Sequence, residues 1–432
     1  MDNLTTLQWP LWRKILFRFF FIYLTLQMAP WTWLDQVPGF GYLLQYYYKL
    51  MDWAVETGNR LWFHIRPVLV PVNGSGDTSY GWAQLCLFIS MAVVGCIIWS
   101  ALDRRRPNYT RLNYWLCLFA RYYVALFAFV YGILKLFAMQ MYFPNLHQLA
   151  TPLGDILPMR LSWLFIGYSG PYQVFSGAME TLAGLLLLFR RTATMGVMIA
   201  TAVFINVMML NLCYDIPVKI FSIQLVITCL FLLANEAKRI LCFFVLDKPA
   251  GTCSIYQHEY KQKWLRITRF VFKTVFIIIA VGMQLFSNYN YYRSAHQPPK
   301  NLPVKNGVYE VQVYKVNNKI IPSSLADTTR WHDVIFEDGL GSVKSSDTTF
   351  RQRYKRGYFY YQANDTTRSL SFKKMQDDQW PIFTFRYAMP DSNTLILSGM
   401  QRKDSLYVEL KRIPRQFALA TRQFHWLSEH NR

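Results

Sequence analysis

Two groups of ionisable side chains interrupt apolar runs of this sequence, and they define the chemistry that it could support. The first group is Tyr131, Lys135 and Glu180. An ionisable residue at membrane depth is costly, so it is a functional hypothesis by default. A buried lysine shifts toward its neutral amine and can act as a base, whereas a nearby carboxylate opposes that shift. Lys135 and Glu180 are therefore the catalytic candidates.

The second group lies where two apolar runs meet. Asp215 and Lys219 flank Pro217 at the four-residue spacing of neighbours on one helix face. They suit either a ligand pocket or a helix end that must be oriented at the interface. Together the two groups predict a polar pocket toward the outer half of a helical bundle, with these candidate lining residues: Tyr131, Lys135, Glu180, Asn211, Tyr214, Asp215 and Lys219.

The same residues allow a purely structural alternative. Lys135 and Glu180 would form a fixed ion pair between two helices, and Gly177 and Gly184 would let those helices approach closely. Structural ion pairs and functional groups both perturb pKa values, so the sequence leaves both alternatives open. Arg121, in another apolar run, is expected to reach the inner interface by snorkelling.

Other chemical signatures are missing from the sequence. The seven cysteines form no C-x-x-C pair and none follows Cys253, so neither a disulfide framework nor a thiolate metal site is expected. His332-Asp333 and the His425 to His430 stretch lack metal-ligand spacing, and we expect no metal site. Signatures of serine hydrolases, zinc proteases and phosphate-binding loops do not occur.

The composition indicates a membrane protein with an added polar part. Hydrophobic residues make up 53% of the 432 residues and charged residues 16%, where a soluble domain carries about a quarter. Runs of the roughly 20 apolar residues that cross a bilayer are confined to residues 1–287. We therefore predict a membrane α-helical bundle of about seven transmembrane helices in 1–287, followed by an all-β antiparallel sandwich or barrel in 303–432.

The elements that would position the candidate residues follow from the apolar runs. The predicted spans are 15–34, 80–102, 113–139, 170–189, 193–213, 217–234 and 267–287. Residues 35–79 are rich in aromatics and poor in charges, which predicts a helix lying in the membrane interface. The apolar stretch 159–168 is too short to span, and we expect it to re-enter the membrane or cap a cavity.

Basic residues set the expected orientation, because cytoplasmic loops are enriched in Lys and Arg. With the N-terminus inside, the inner segments carry 15 Lys and Arg residues and the outer loops carry five. The N-terminus is therefore expected in the cytoplasm and the β domain outside it, in the periplasm of a Gram-negative host. Anionic lipid headgroups explain the basic inner loops, and nucleic acid is not an expected partner.

The region after residue 303 alternates apolar and polar residues in short runs, as in 308–314, 358–361 and 394–397. Gly, Asn, Asp and Pro separate the runs, which is typical of antiparallel sandwiches and small barrels. A lipocalin-like barrel would enclose a ligand and a filled sandwich would not, and the pattern favours neither.

Two motifs lie on the runs that carry Lys135 and Glu180. The segment from Tyr131 to Leu136 reads YGILKL, and the segment from Gly177 to Arg191 has an acidic residue before a Gly-Leu-rich run and a basic turn. These segments resemble the first and second helices of DoxX-like membrane proteins, and Asn211 to Lys219 would join their third and fourth. The resemblance covers about 115–235. It implies a four-helix core at about 113–234 that binds a quinone-like or other lipophilic ligand. It also implies a role as a redox-linked subunit.

The same two helices are similar, more weakly, to the membrane bundle of vitamin K-dependent γ-carboxylase-like (HTTM) proteins. That family also has an extracytoplasmic β domain, and in it a lysine amine deprotonates a quinol. Lys135 matches that base by position. The chain has fewer spans before this helix and a shorter β domain than that family.

These observations favour a DoxX-like inner-membrane protein with a quinone as the implied cofactor and the lipid bilayer as its surroundings. One alternative is a non-enzymatic envelope assembly or transport component whose β domain, 303–432, binds a protein or lipid partner. A second alternative is a quinol-coupled γ-carboxylase-like modifying enzyme. It requires Lys135 to be unpaired and open to a cavity.

Overall fold

Two compact units make up the chain. In the computed structural model, residues 8–36, 39–74, 76–249, 262–296, 302–324, 330–422 and 424–427 are described. The helical unit comprises Met1–Tyr142 and Phe165–Arg293, and the β unit comprises Phe143–Leu164 and Ser294–Arg432. The chain therefore leaves the helical unit once, returns to it, and only then enters the strands.

Helices form most of the described chain before the strands begin. In chain order they are α1 (Leu11–Met28), α2 (Phe40–Gly58), α3 (Ser79–Leu102), α4 (Thr110–Leu136), α5 (Leu146–Leu149), α6 (Pro158–Tyr168), α7 (Gly170–Leu188), α8 (Ala193–Cys213), α9 (Lys219–Phe244), α10 (Lys263–Ile277) and α11 (Gln284–Ala295), with the short α12 (Ala418–Thr421) after the last strand. A 3-10 turn, Pro30–Gln36, follows α1, and π-helical turns follow α2 at Asn59–Phe63 and join α10 to α11 at Ile278–Met283.

Six helical stretches of the described chain are long and apolar enough to cross a membrane. They are Leu11–Trp33, Ser79–Leu102, Thr110–Leu136, Ala193–Cys213, Lys219–Phe244 and Lys263–Ala295. Each coincides with a predicted span. The other predicted span, 170–189, forms α7, a helix of 19 residues outside this group. Its polar residues include the buried Gln173 and Glu180, which lower its mean hydropathy.

Helices α4 and α7 pack closely at the centre of the bundle, and glycines permit the contact. A Cβ added to Gly177 would lie 2.6 Å from the carbonyl oxygen of Gly132. A Cβ added to Gly132 would lie 2.6 Å from Thr181 Oγ1, and one at Gly184 2.9 Å from the Phe129 ring. Small residues at such crossings let helix backbones approach in membranes, where packing contributes to association.

A buried arginine ties α1 to the end of α3. Arg18 is 2% exposed, and its Nε and Nη2 donate to Tyr109 Oη at 2.9 and 2.7 Å. Its Nη1 donates to Ser100 Oγ and its Nη2 to the Asp103 carbonyl oxygen, both at 2.8 Å. The charge is stabilised by four hydrogen bonds, as a buried charge requires.

The strands of the β unit form one antiparallel sheet that closes on itself. They are β1 (Gly307–Val316), β2 (Lys319–Ile320), β3 (Asp333–Glu337), β4 (Leu340–Val343), β5 (Arg351–Arg353), β6 (Arg356–Asn364), β7 (Ser369–Lys373), β8 (Phe383–Ala388), β9 (Thr394–Gln401) and β10 (Asp404–Ile413). The order β1-β3-β4-β6-β7-β8-β9-β10 returns to β1, while β2 pairs with β1 and β5 with β6. Closure runs from the pair Val308–Ile413 to the pair Val316–Leu406. The predicted antiparallel β domain is thus a barrel, one of the two predicted forms.

Aromatic side chains fill the interior of the barrel. Phe383, Phe385 and Tyr387 point inward from β8 and alternate with exposed residues, as the pleat of a strand dictates. The rings of Phe359 and Phe372 stack at 4.1 Å, and Trp331 is fully buried against Phe372 and Phe385. A small barrel can be filled by its own side chains, and these rings occupy the centre of this one.

Candidate functional site

Lys135 and Glu180 form a buried ion pair between α4 and α7. The Lys135 Nζ donates to Glu180 Oε1, and the two residues are 8% and 1% exposed. Both lie beside the close crossing of the two helices, because Gly177 contacts Lys135 and Gly132 contacts Glu180. The Glu180 Oε2 is buried with no hydrogen-bond partner. The amine is therefore engaged with the carboxylate, and the pair joins the two helices.

Tyr131 lies one turn before Lys135, on the side of α4 that faces α9. The ring centroids of Tyr131 and Phe221 lie 6.1 Å apart. The Phe127 ring also packs on Phe221, with its centroid 4.8 Å from that of Phe221. The predicted group of Tyr131, Lys135 and Glu180 thus occupies one level of the bundle, with Tyr131 in an aromatic contact.

The residues from Asn211 to Lys219 form the turn between α8 and α9. Asp77 caps α9, accepting from the backbone N–H groups of Lys219 and Ile220 at 2.7 and 3.0 Å. The Lys219 Nζ lies 2.7 Å from the exposed Asp215 carboxylate and 3.8 Å from Asp77. Asn211 is buried and its carbonyl oxygen accepts from the Ile216 N–H, whereas Tyr214 is 37% exposed. This geometry is that of an oriented helix end.

The two predicted groups do not form one network. Within the described ranges, no hydrogen bond or ion pair links Lys135 or Glu180 to the turn between α8 and α9. The described part of the chain also holds no group of three or more His, Cys, Asp or Glu side chains that could bind a metal ion.

A large cavity lies elsewhere in the helical unit, where α4 and α8 begin and α9 ends. Its volume is about 680 Å³, within the range of small-molecule pockets. Aromatic and aliphatic side chains form most of its wall, among them Tyr114, Trp115, Tyr122, Val197, Leu232 and Phe276. The cavity is large enough for a lipophilic molecule.

One wall of the cavity is a single face of α10. The lining residues Leu265, Thr268, Arg269, Phe272, Lys273 and Phe276 follow the three- and four-residue spacing of one helix face. No residue of α10, which is described throughout, is buried. This helix therefore covers the cavity from the outside of the bundle without being enclosed itself.

Basic side chains are concentrated in this otherwise apolar cavity. Arg121, Arg190, Arg269 and Lys273 line it, with Glu236 as the acidic residue among the described lining residues. Glu236 Oε2 accepts from Arg239 Nη1 one turn further along α9. The Arg121 guanidinium lies over the Tyr122 ring at 5.4 Å, and the Lys273 Nζ over the Phe189 ring at 3.9 Å.

A second polar cluster lies inside the β unit, where α5 packs on the barrel. The Arg356 Nε donates to Ser342 Oγ at 2.9 Å, and Ser342 Oγ lies 2.8 Å from His147 Nδ1. The Arg356 Nη2 pairs with Asp333, and Glu337 Oε2 accepts from the Leu146 N–H at 3.0 Å. Ser342 Oγ therefore accepts from arginine and shares a second hydrogen bond with His147 Nδ1, in which the donor depends on the imidazole tautomer.

His147 is held neutral by its surroundings. The residue is fully buried, and burial, followed by the nearby Arg356 charge, lowers the pKa of His147 to about 3. Burial also raises the pKa of the Glu337 carboxyl, whose Oε2 lies 3.7 Å from His147 Nε2. Further along the segment, Lys355 pairs with Asp155 at 2.6 Å and Arg160 Nε donates to Tyr354 Oη at 2.9 Å. The segment 143–164 is thus fixed to the strands by polar contacts.

Sequence reasoning does not select several of these residues. Arg190 and Arg269 enter it only as basic residues of inner segments, and His147 precedes the predicted apolar stretch 159–168 and belongs to no predicted element. The one signal for the cavity is the spacing of Arg269 and Lys273, four residues apart on one helix face.

Comparison with known proteins identifies one related family. No protein-family model matches the chain, and no solved structure matches it. The chain is 32% identical over 133 residues to the uncharacterized protein YwoB of Bacillus subtilis (strain 168), a match that covers 29% of this chain and 79% of that protein. The chain belongs to the YwoB family.

Proposed function

We propose that this protein is an integral membrane protein that binds a quinone-like or other lipophilic ligand within its helical bundle. The observation that carries the proposal is the cavity of about 680 Å³ between α4, α8, α9 and α10, with its aromatic and aliphatic wall. Ligand pockets are mostly apolar with a few polar groups that orient the ligand. The DoxX-like resemblance of residues 115–235 agrees with such a role, and three of these four helices lie largely within that region.

The proposed topology has seven spans, with α7 as the fourth. Helix α7 buries Gln173 and Glu180 against neighbouring helices, so its polar side chains need not face lipid. The excess of Lys and Arg in alternate loops supports a cytoplasmic N-terminus. An odd number of spans would then place the β unit on the extracytoplasmic side, and the cavity near the cytoplasmic ends of its helices.

The Lys135–Glu180 pair has a supporting role in this proposal. The pair lies beside the close α4–α7 crossing, where it fixes the arrangement of two helices of the bundle. Its lysine is bound to a carboxylate, so the geometry favours a ligand-binding function over one that needs a free amine at this position.

Filling the cavity tests the proposal. Thr268 lines the cavity, whereas the adjacent Ile267 is 54% exposed and does not. Purified wild type, Thr268→Trp and Ile267→Trp would each be extracted and assayed for bound quinone and lipid, and then titrated with decylubiquinone and a detergent-solubilised lipid. We expect ligand to be lost from Thr268→Trp alone. Equal amounts of ligand in all three proteins would contradict a ligand site in this cavity.

A further inference from the structure

The distribution of charge in the cavity defines the ligand more narrowly. Four basic residues and one acidic residue are among its described lining residues, in a wall that is otherwise aromatic and aliphatic. A quinone is uncharged and would bring no negative charge to this basic wall. The cavity therefore suits a molecule with one anionic end and one apolar end.

Arg121 is the most informative of these cations. It lies 11 residues after Thr110, which begins α4, or about 16 Å along the helix axis. Its Nε is buried and has no hydrogen-bond partner, although its guanidinium contacts the Tyr122 ring. A buried polar hydrogen without an acceptor costs free energy, and an anionic oxygen would remove that cost.

Three of the cations also repel one another. Arg121 on α4 and Arg269 and Lys273 on α10 are close enough to interact electrostatically. Repulsion between like charges on two helices destabilises the packing of those helices. The repulsion is stronger where water is partly excluded, because the local dielectric constant is lower. An anion bound among them would convert the repulsion into attraction on both helices.

The size and exposure of the cavity favour an amphiphile over a small ion. A volume of about 680 Å³ far exceeds the roughly 30 Å³ that one water molecule occupies in the liquid, so a small anion would leave most of it empty. The aromatic wall lies beside α10, a helix without buried residues along its described length. An apolar chain could therefore enter from the bilayer beside this helix.

We propose that the cavity binds a phosphate-bearing lipid. Its phosphate group lies between Arg121, Arg269 and Lys273, and its apolar chain lies against Phe272, Phe276 and the facing side of α4. Arginine binds phosphate oxygens in a bidentate manner and lysine binds them as a point charge. This inference rests on the proposed function, since it assigns a chemical class to the ligand of the same cavity.

Binding of paired lipids to the full chain in detergent tests the inference. The probes are phosphatidate and phosphatidylcholine with identical acyl chains, with inorganic phosphate as competitor and decylubiquinone as an uncharged probe, all measured by native mass spectrometry. The variants are Lys273→Gln and the double variant Arg121→Gln/Lys273→Gln. Arg266→Gln is the matched control, because Arg266 is an exposed basic residue of the same helix that does not line the cavity.

We expect wild type and Arg266→Gln to bind phosphatidate more tightly than phosphatidylcholine. The preference should fall about tenfold or more in Lys273→Gln and further in the double variant, because hydrogen bonds to charged groups are strong. Binding of phosphatidylcholine should not change. Lys273→Gln removes one partly exposed charge and tests the proposal even if the double variant does not fold.

Three other outcomes would overturn the inference, and they have different meanings. Equal affinity of wild type for both lipids would reject an anionic head group but leave the lipophile site intact. Displacement of phosphatidate by inorganic phosphate at similar concentrations would assign the site to a free anion. Failure of both lipids and of decylubiquinone to bind would reject the proposed function itself.

Discussion

Acidification should weaken the attachment of α5 to the barrel, and His147 allows the size of the effect to be worked out. The pKa of His147 is lowered from an ordinary 6.5 to about 3 in the folded protein. The unfolded or opened segment therefore takes up a proton below about pH 6.5, whereas the folded segment takes it up only near pH 3. The contribution of neutral His147 to the attachment of α5 is therefore fully present above pH 6.5. It is lost progressively as the pH falls from 6.5 to about 3.

The magnitude follows from proton linkage. At about pH 5, a shift from 6.5 to about 3 corresponds to about 2 kcal/mol of lost stability, or about 30-fold in the opening equilibrium. Glu337 acts in the opposite direction, because a raised carboxyl pKa means that protonation favours the folded segment. A measurement on wild type alone would therefore report the sum of the two groups.

Hydrogen exchange read by mass spectrometry can isolate the histidine. Exchange of peptides that cover Leu146–Leu149 and Leu340–Val343 would be compared at about pH 7.5 and about pH 5, after correction for intrinsic rates. His147→Asn is the control, since it keeps a polar group near the position of Nδ1 and cannot be protonated. Wild type should lose about 30-fold more protection than the variant on acidification. Equal pH dependence in the two proteins would refute the reasoning.

Three further predictions concern the helical unit, and thermal unfolding in detergent measures each of them. Lys135→Met should destabilise the protein by roughly 3 to 5 kcal/mol, because Glu180 is left buried without its partner, and Lys135→Met/Glu180→Leu should cost much less. Gly177→Ala should destabilise it by about 1 to 3 kcal/mol, since the new methyl group would overlap the α4 backbone. Asp77→Ala should cost about 1 to 2 kcal/mol, because two N–H groups at the start of α9 lose their acceptor.

Controls for these substitutions come from the same chain. A Cβ added to Gly154 meets no atom within 4 Å, so Gly154→Ala should leave the midpoint of unfolding nearly unchanged. The Asp215 side chain is 84% exposed, and asparagine tolerates the left-handed backbone at this position (φ 51°), so Asp215→Asn should have little effect. A double variant at Lys135 and Glu180 as unstable as Lys135→Met would show that the ion pair itself contributes to stability.

Local sequence patterns predict the elements of this fold better than their assembly. The apolar runs locate the long helices, and the alternation in 308–314 locates β1, because both signals come from neighbouring residues. The glycines near Lys135 and Glu180 indicate a close crossing of two helices, which the structure shows at Gly132 and Gly177. Closure of the barrel depends on pairing between Val308 and Ile413, which no local pattern encodes.

The cavity could not be predicted for a similar reason. Most of its wall comes from four helices whose lining residues are spread between Tyr114 and Phe276, and its cations resemble the basic residues of any inner loop. The sequence predicts that Arg121 snorkels to the interface, and that prediction gives no indication that its Nε is buried or that the residue lines the cavity. The polar contacts of His147 likewise depend on Ser342 and Arg356, which lie in distant strands.

The route of the chain through the β unit has a consequence for biosynthesis. His147 is synthesised 195 residues before Ser342, so α5 exists before the strands that will hold it. At typical rates of synthesis this interval is roughly 10 to 40 s. During that time the imidazole is solvated and can be protonated, and a fragment that begins at 303 would never acquire it. Assembly of the barrel is therefore the step at which this segment loses water and at which the His147 imidazole becomes fixed in its neutral form.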